Sequence, residues 1–326
     1  MMRRTFAPPR MDESMPTAAY ENSWPVLPPT KDWEETRAAL HMWTQIVGKV
    51  RLALAPWINH SWGSTLYVTP RGLTTSPIHY RGEMFSIEFD FTAHALRIDT
   101  SIGRTWGMGL GPMSVADFYR ELSGGLSDLR IEVDILARPV EVEVAVPFIE
   151  DRERRPYNGA AVHGFWRALV QVDRVFNRFR ARFTGKASPS HLFWGALDLA
   201  VTRFSGRPAP RHPGGAPNVA DWVMAEAYSD ELSSAGFWAG NNGPGEATFY
   251  SYAYPEPEGF RERAVEPSAA HFHEDLGEFV LPYEAVRSAP DPDGALMSFL
   301  ESTYAAAADL GGWDRAWLER EVPRRE

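Results

Sequence analysis

The chain has 326 residues, enough for about two domains or for one large domain built on a β-sheet. Its 33 basic and 43 acidic residues give a net charge of -10, which argues against a nucleic-acid or anionic-membrane partner. Because the chain contains no cysteine, disulfides, thiol nucleophiles and cysteine-bound zinc are excluded.

The N-terminal region predicts a cytoplasmic protein with a loosely ordered tail. Residues 1–32 are rich in proline and show little periodicity. The opening sequence MMRRTFAPPRMDESMP lacks the apolar core of a signal peptide, and no apolar run reaches the roughly 18 residues of a membrane span. We therefore expect no membrane partner.

Residues 33–138 are predicted to form a first α+β half that begins with a long helix. The apolar residues of this helix recur at helical spacing and define one buried stripe: Leu40, Trp43, Val47, Val50 and Leu54. Beside the stripe, polar residues occur at every fourth position: His41, Gln45 and Lys49. This polar line faces either a cavity or the solvent.

Alternating apolar residues predict several strands after this helix. The predicted strands cover residues 62–74, 84–91, 95–101, 104–110 and 129–135. The second and third of these are expected to form a hairpin around His94. Ser114 begins a capping-box-like pattern and therefore predicts the start of a second helix.

Residues 139–156 are predicted to be a bridge to a second α+β half, residues 157–326. This half opens with a helix over residues 160–183, whose far side carries four arginines: Arg167, Arg174, Arg178 and Arg182. The arginines indicate either an acidic partner or a solvated helix face. Further strands are expected at residues 188–206, 235–239, 247–253 and 278–285, followed by a helix over residues 293–310.

The segment 188–206, SPSHLFWGALDLAVTRFSG, alternates as a strand does. Asp198 lies between Ala196 and Ala200 on one face, where a packed strand would carry larger apolar residues. These small neighbours leave room beside the carboxylate, which predicts a pocket. The alternative is a buried salt bridge between Asp198 and a nearby arginine.

The two halves are interpreted as an internal duplication. Trp62 and Trp194, each followed by glycine, are 132 positions apart, and Arg71 and Arg203 have the same separation. The order of predicted elements also recurs in the two halves. The expected α+β architecture is one large antiparallel sheet, or two adjoining sheets, with helices packed on them.

Aromatic side chains and one long loop predict a small-molecule site between the halves. The loop of residues 205–217 is rich in proline and glycine, and long ordered loops often cover binding sites. Aromatic walls with few polar groups are typical of small-molecule pockets. The candidate ligand-binding residues are Arg71, Trp62, Trp194, Arg207, His212 and Tyr254.

Six segments carry a resemblance to a known family. They read HMWTQIVGK, RGLTTSP, SHLFWGALDLAVTRFSGR, RHPGG, FYSYAYPEPEGF and LGEFVLPYEAVR. From Trp24 to Trp317 the chain resembles a bacterial family catalogued as domain of unknown function 5996. The resemblance implies no activity, cofactor or catalytic residue.

The candidate catalytic residues are His41, His60, His191, Asp198 and Arg203. Histidines with a carboxylate suit zinc, iron or manganese, but the chain has no HExxH motif, so a divalent metal is possible but not favoured. Without a metal, a histidine oriented by Asp198 would act as general base while an arginine holds an anionic substrate. The alternative for each histidine is a hydrogen-bonded residue of the core or of a loop.

Two functions fit these patterns. The first is a cytoplasmic small-molecule enzyme or ligand binder, with its pocket between the duplicated halves and under the loop of residues 205–217. The second is a non-catalytic interaction protein in which the aromatic residues are core and the arginine face of the second long helix meets an acidic partner.

Overall fold

Two antiparallel sheets of six strands each, with helices packed on them, make up the fold. The computed structural model describes residues 24–240 and 245–320. The expected α+β class is confirmed for these ranges. Most of the predicted tail, residues 1–23, lies outside the described residues, as do residues 241–244.

The first half of the chain forms one sheet and two long helices. In chain order its elements are α1 (Glu34–Leu54), β1 (Tyr67–Val68), β2 (Gly72–Thr74), β3 (Ile78–Tyr80), β4 (Glu83–Asp90), β5 (Ala95–Thr100), β6 (Thr105–Gly109) and α2 (Val115–Asp128). The strand order is β1-β2-β4-β5-β6, and β3 pairs with β4. Trp43 of α1 stacks on Phe118 of α2 at 5.1 Å between ring centroids, because the apolar stripe of α1 faces inward as predicted.

The second half forms the other sheet and a second helical layer. Its elements are α3 (Gly159–Ala181), β7 (His191–Phe193), β8 (Asp198–Pro208), α4 (Asp221–Ala227), β9 (Asp230–Trp238), β10 (Thr248–Tyr254), β11 (His271–His273), β12 (Glu278–Pro282), α5 (Tyr283–Arg287), α6 (Pro292–Leu310) and α7 (Arg315–Leu318). The strand order is β11-β12-β10-β9-β8-β7.

Some predicted strands differ from those in the structure. The predicted strand over residues 188–206 is a hairpin of β7 and β8, because the chain turns at Trp194–Leu197 with Leu197 at a φ of 57°. The prediction over residues 62–74 likewise becomes β1 and β2. Residues 129–135 form no strand, since their alternating residues find no partner strand.

The two sheets adjoin where the two Trp-Gly segments meet. Leu66 and Leu192 form an antiparallel bridge, with N–O distances of 2.9 and 2.8 Å. The Trp194 indole also donates a hydrogen bond to the Ser64 carbonyl at 2.7 Å. The segments around Trp62 and Trp194 therefore lie next to each other, while the proposed duplication itself stays a prediction.

One face of the second sheet packs on α3 and α6, and the other face points away from these two helices. Leu199, Val201 and Phe237 point toward α3 and α6 and belong to the core. Asp198 and Ala200 alternate with them, so their side chains point to the other side of the sheet. Because side chains alternate in direction along the strands, one face of the sheet is packed core and the other face is available to form a site.

Arg203 of β8 points toward the helices. Its guanidinium carbon lies 3.4 Å from the ring centroid of Phe179, and its Nη2 donates to the Phe179 carbonyl at 2.5 Å. The Tyr304 ring is 4.3 Å away, and Nη1 lies 3.4 Å from the Glu301 carboxylate. Arg203 thus joins β8 to α3 and α6.

Three of the arginines on the far side of α3 are paired within the chain. Arg174 and Arg178 both bind Asp293 of α6, and Arg182 lies 3.4 Å from Glu301. These contacts hold α3 against α6 at the surface. None of the helices in the described ranges is at once long enough and apolar enough to cross a membrane.

Arg203→Ala is expected to lower the free energy of unfolding by about 3 kcal/mol or more, because it empties a fully buried position between aromatic rings and removes the side-chain donor to the Phe179 carbonyl. Chemical denaturation measures this loss. Arg120→Ala, which removes an exposed ion pair with Asp117, is the control and should cost below about 1 kcal/mol. Similar losses in both variants would contradict the structural role of Arg203.

Candidate ligand-binding cavity

A cavity of about 750 Å³ lies on the face of the second sheet that points away from α3 and α6. Its floor is formed by side chains of β8, β9, β10 and β12. It is covered by segments of both halves: the C-terminal end of α1, the turn at residues 60–64, the segment 134–141, and residues 216–228, which include α4. The end of the predicted covering loop therefore does lie over the cavity.

Aromatic side chains form much of the cavity wall. They are Trp57, Trp62, Trp194, Trp222, Trp238, Tyr228, Tyr250 and Tyr252. The rings of Trp238 and Tyr250 are 4.4 Å apart, and the hydroxyl groups of Tyr228 and Tyr252 are hydrogen-bonded at 2.9 Å. These contacts fix the rings in place, so the wall is preformed.

Asp198 is the most enclosed carboxyl group of the cavity, with 6% of its surface exposed. Its Oδ2 accepts a hydrogen bond of 2.5 Å from the Tyr250 hydroxyl. Burial raises the pKa of Asp198 to about 6, although the hydrogen bond from Tyr250 acts in the opposite direction. Its partner is a tyrosine, and neither an arginine nor a histidine side chain of the described residues bonds to it.

A glycine on the intervening strand makes the Tyr250–Asp198 contact possible. Tyr250 on β10 reaches across β9 to Asp198 on β8, and its ring passes over Gly236. A Cβ atom at Gly236 would overlap with this ring. A side chain at this position would therefore push Tyr250 away from Asp198.

Glu278 and Glu141 bring two further carboxyl groups to the cavity. Burial, and then the charge of Asp198, raise the pKa of Glu278 to about 8. The Glu278 Oε2 atom is covered and has no hydrogen-bond partner in the described part of the chain. The same two causes raise the pKa of Glu141, an exposed residue that lines the cavity and whose carboxyl packs on Gly195.

The polar line of α1 is buried and supports the cavity. The His41 Nε2 lies 2.7 Å from the Gly195 carbonyl, so this nitrogen carries the proton. Gln45 donates to the Val140 carbonyl and accepts from the Val140 N–H, both at 2.9 Å. Lys49 lines the cavity, with its Nζ 5.4 Å from the centre of the Trp194 ring. Of the two sequence-based alternatives, the solvated helix edge is therefore wrong.

Burial shifts the pKa of both ionisable groups on this line. It lowers the pKa of His41 to about 4, and it lowers the pKa of Lys49 to about 8. His41 is therefore neutral near pH 7, where it positions the Gly195 turn as a hydrogen-bond donor.

His60 and His191 lie on either side of Trp62. The Trp62 ring centroid is 5.3 Å from that of His60 and 6.2 Å from that of His191. The His60 Nδ1 faces the Ala227 carbonyl at 2.9 Å, which leaves Nε2 to accept from Lys186 at 2.6 Å. His60 lines the cavity beside Trp62.

His191 is fully buried, and its Nδ1 lies 3.2 Å from the Thr65 hydroxyl. Burial lowers the pKa of His191 to about 3, so the ring is neutral. Its Nε2 has no partner within the described ranges. The ring lies among aromatic residues at the junction of the two sheets, beside Trp62 and Phe193.

The structure places the three candidate arginines away from the cavity. Arg71 binds the buried Asp90 in the first sheet. Arg203 lies on the opposite face of β8, as described above. Arg207 binds Glu231 and donates to the carbonyls of Gly311 and Gly312, which follow α6. Each arginine has a structural partner, and no arginine is among the cavity-lining residues of the described chain.

His212 and Tyr254 also lie outside the cavity wall. The His212 ring stacks on Tyr228 at 4.6 Å between centroids and lies 5.2 Å from Tyr254. The Tyr254 hydroxyl donates to the Pro210 carbonyl at 3.0 Å. Both residues therefore fasten the loop that precedes α4 to the sheet, and they reach the cavity only through Tyr228.

Several cavity residues did not emerge from the sequence as site residues, among them Glu141, Glu278 and Tyr228. For Glu278 a signal was present, because it begins the apolar strand EFVLP, in which a carboxylate at a half-buried position is unusual. Glu141 belongs to a segment without periodicity. Among the described residues no three His, Asp or Glu side chains are grouped so that they could hold a metal ion.

A family model described as a family of unknown function, DUF5996, matches residues 24–320. No curated protein and no solved structure shows a significant match to the chain.

Asp198→Asn is expected to change how stability depends on pH. Burial raises the pKa of Asp198 from 3.8 to about 6, so the folded chain holds this proton more tightly than the unfolded chain. This stabilisation is present below about pH 4 and is lost as the pH rises to about 6. Over that window the wild type should lose about 1 to 3 kcal/mol relative to the variant in urea unfolding. A pH-independent difference would contradict the enclosure of this carboxyl.

Gly236→Ala is expected to displace the Tyr250 ring and to destabilise the protein by about 1 to 3 kcal/mol, because the added methyl group overlaps with the ring. Gly109→Ala on β6 is the matched control, since a Cβ at Gly109 meets open space. Thermal unfolding compares the two. Equal stability of both variants would show that Tyr250 does not cross the sheet as described.

Proposed function

The chain belongs to the DUF5996 family, a family of unknown function, and we propose that it binds a small organic molecule in the cavity on the second sheet, as an enzyme or as a ligand-binding protein. The cavity itself carries the proposal. Its volume of about 750 Å³ is within the range of small-molecule pockets, which is about 300 to 1,000 Å³. The proposed setting is the cytoplasm.

The composition of the wall supports this proposal. Aromatic rings make up much of the surface, and the polar groups beside them include the carboxyls of Asp198 and Glu278. Apolar surface supplies the affinity for a small molecule, and a few fixed polar groups supply its orientation. Tyr250, Asp198 and Trp194 are held by hydrogen bonds, so the cavity would bind without rearranging these groups.

The carboxyl groups would equip the cavity for proton transfer. Burial raises the pKa of Asp198 to about 6 and that of Glu278, which also faces the charge of Asp198, to about 8. Near pH 7 Asp198 is then mostly ionised and Glu278 mostly protonated. One carboxyl can accept a proton while the other donates one, which is the arrangement required for general acid–base catalysis.

The alternative function, an interaction protein, has less support. It rested on the arginine face of α3, but Arg174, Arg178 and Arg182 bind acidic residues of α6 in the same chain. An acidic partner would have to displace these internal pairs. The small-molecule proposal requires no such exchange.

Ala200→Trp and Ala216→Trp are expected to weaken ligand binding at least tenfold, because both alanines line the cavity and the indole would fill it. A fragment library screened by saturation-transfer NMR against the wild type supplies the ligands. Ala181→Trp, at the exposed end of α3, is the control and should bind these fragments as the wild type does. Fragments that bind both cavity variants as well as the wild type would contradict the proposal, as would a wild type that binds none.

A further inference from the structure

We infer that the ligand of this cavity is a small organic cation, an ammonium group on an apolar frame. The inference rests on the proposed function, since it names the chemical class that the same cavity would take. It is carried by the combination of enclosed volume, unpaired carboxyl groups and aromatic faces on one wall.

The charges that line the cavity are mostly of one sign. Asp134, Glu141, Asp198 and Glu278 contribute carboxyl groups, and Lys49 contributes an ammonium group. No ion pair involves any of these carboxyl groups within the described ranges, although the ion pairs elsewhere in the chain are numerous. Asp134 and Glu141 are exposed residues, whereas Asp198 is buried and the Glu278 Oε2 atom is covered. For the latter two, the ionised form is costly unless an opposite charge is close to it. A cationic ligand would supply that charge.

Glu278 supports a cationic ligand independently of the number of charged groups around the cavity. Its Oε2 atom is covered by protein and has no hydrogen-bond partner among the described residues. Buried polar atoms are almost always hydrogen-bonded in native proteins, so an orphaned one calls for a partner that is absent from the chain itself. Glu278 is mostly protonated near pH 7 when no cation lies beside it. An ammonium group at this position would favour the carboxylate form, whose oxygens accept the hydrogen bonds that the ammonium group donates.

The aromatic wall favours an organic cation over a bare metal ion. Ammonium groups bind to the faces of tryptophan and tyrosine rings within about 6 Å of the ring centre. The chain already uses this interaction at the cavity, because the Lys49 Nζ lies 5.4 Å from the centre of the Trp194 ring. The rings of Trp238, Tyr250 and Tyr252 lie beside Asp198 and Glu278, where they would contact both the ammonium group and its apolar frame.

Three isosteric probes test the ligand class: tryptamine, which is a cation, tryptophol, which is neutral, and indole-3-acetate, which is an anion. Isothermal titration calorimetry with the full chain should give an affinity for tryptamine at least tenfold above that for tryptophol. Indole-3-acetate should bind more weakly than both. The indole frame is common to the three probes, so the comparison isolates the charge.

Glu278→Gln and Glu141→Gln should each weaken tryptamine binding by about tenfold and change tryptophol binding by less than about twofold. Glu284→Gln, which alters an exposed carboxylate on α5, is the control and should change neither affinity. Two carboxyl variants are used so that the failure of one to fold leaves the other as the test.

The outcomes separate the two proposals. Equal binding of tryptamine and tryptophol, or tighter binding of indole-3-acetate, would overturn the cationic class while leaving the cavity as a small-molecule site. The cationic class is also overturned, and the cavity is kept as a small-molecule site, if none of the three probes binds but library fragments bind the wild type and not the Ala200→Trp variant. If neither the probes nor the fragments bind, the proposed function fails as well.

Discussion

Tyr250 and Asp198 share a hydrogen bond that spans strand β9, and the cavity face of the second sheet is organised around it. The bond requires a tyrosine on β10, a glycine on β9 and a carboxyl on β8 at neighbouring positions of the sheet. It keeps the Tyr250 ring flat against Gly236 and beside Trp238. A polar pair is thereby fixed on a surface that would otherwise pack as core, and the space above it stays open.

The two faces of β8 show how one strand serves both stability and the site. Arg203 is enclosed by the rings of α3 and α6, whereas Asp198 faces the cavity without a cationic partner. Arg203 cannot form a salt bridge with Asp198, because successive residues of a strand point to opposite sides and the two residues are an odd number of positions apart. The charge of Asp198 therefore acts on Glu278 and Glu141, whose pKa values it raises.

Much of the fold follows from local patterns, whereas the site depends on contacts between distant segments. The apolar stripe of α1 and the strands β4 and β5 were predictable, because their apolar residues recur with helical or strand periodicity along the sequence. The turn at Trp194–Leu197 was not, because its apolar alternation continues through it. Glu141 is placed by the bonds of Gln45 to the Val140 backbone, 95 positions away, which no local pattern encodes. The equal spacing of Arg71 and Arg203 was used to predict a duplication, and both arginines were candidate site residues, but each binds a different carboxylate outside the cavity.

On this face Asp198 is buried, the Glu278 Oε2 atom is covered, and neither carboxyl group has an ion-pair partner among the described residues. Carbon-13 NMR titration of the side-chain carboxyls, assigned with the Asp198→Asn and Glu278→Gln variants, tests this directly. We expect titration midpoints of about pH 6 for Asp198 and about pH 8 for Glu278, because burial disfavours both carboxylates. Midpoints near the ordinary values of about 4 for both groups would contradict it, since they would show carboxylates that are fully solvated or already paired.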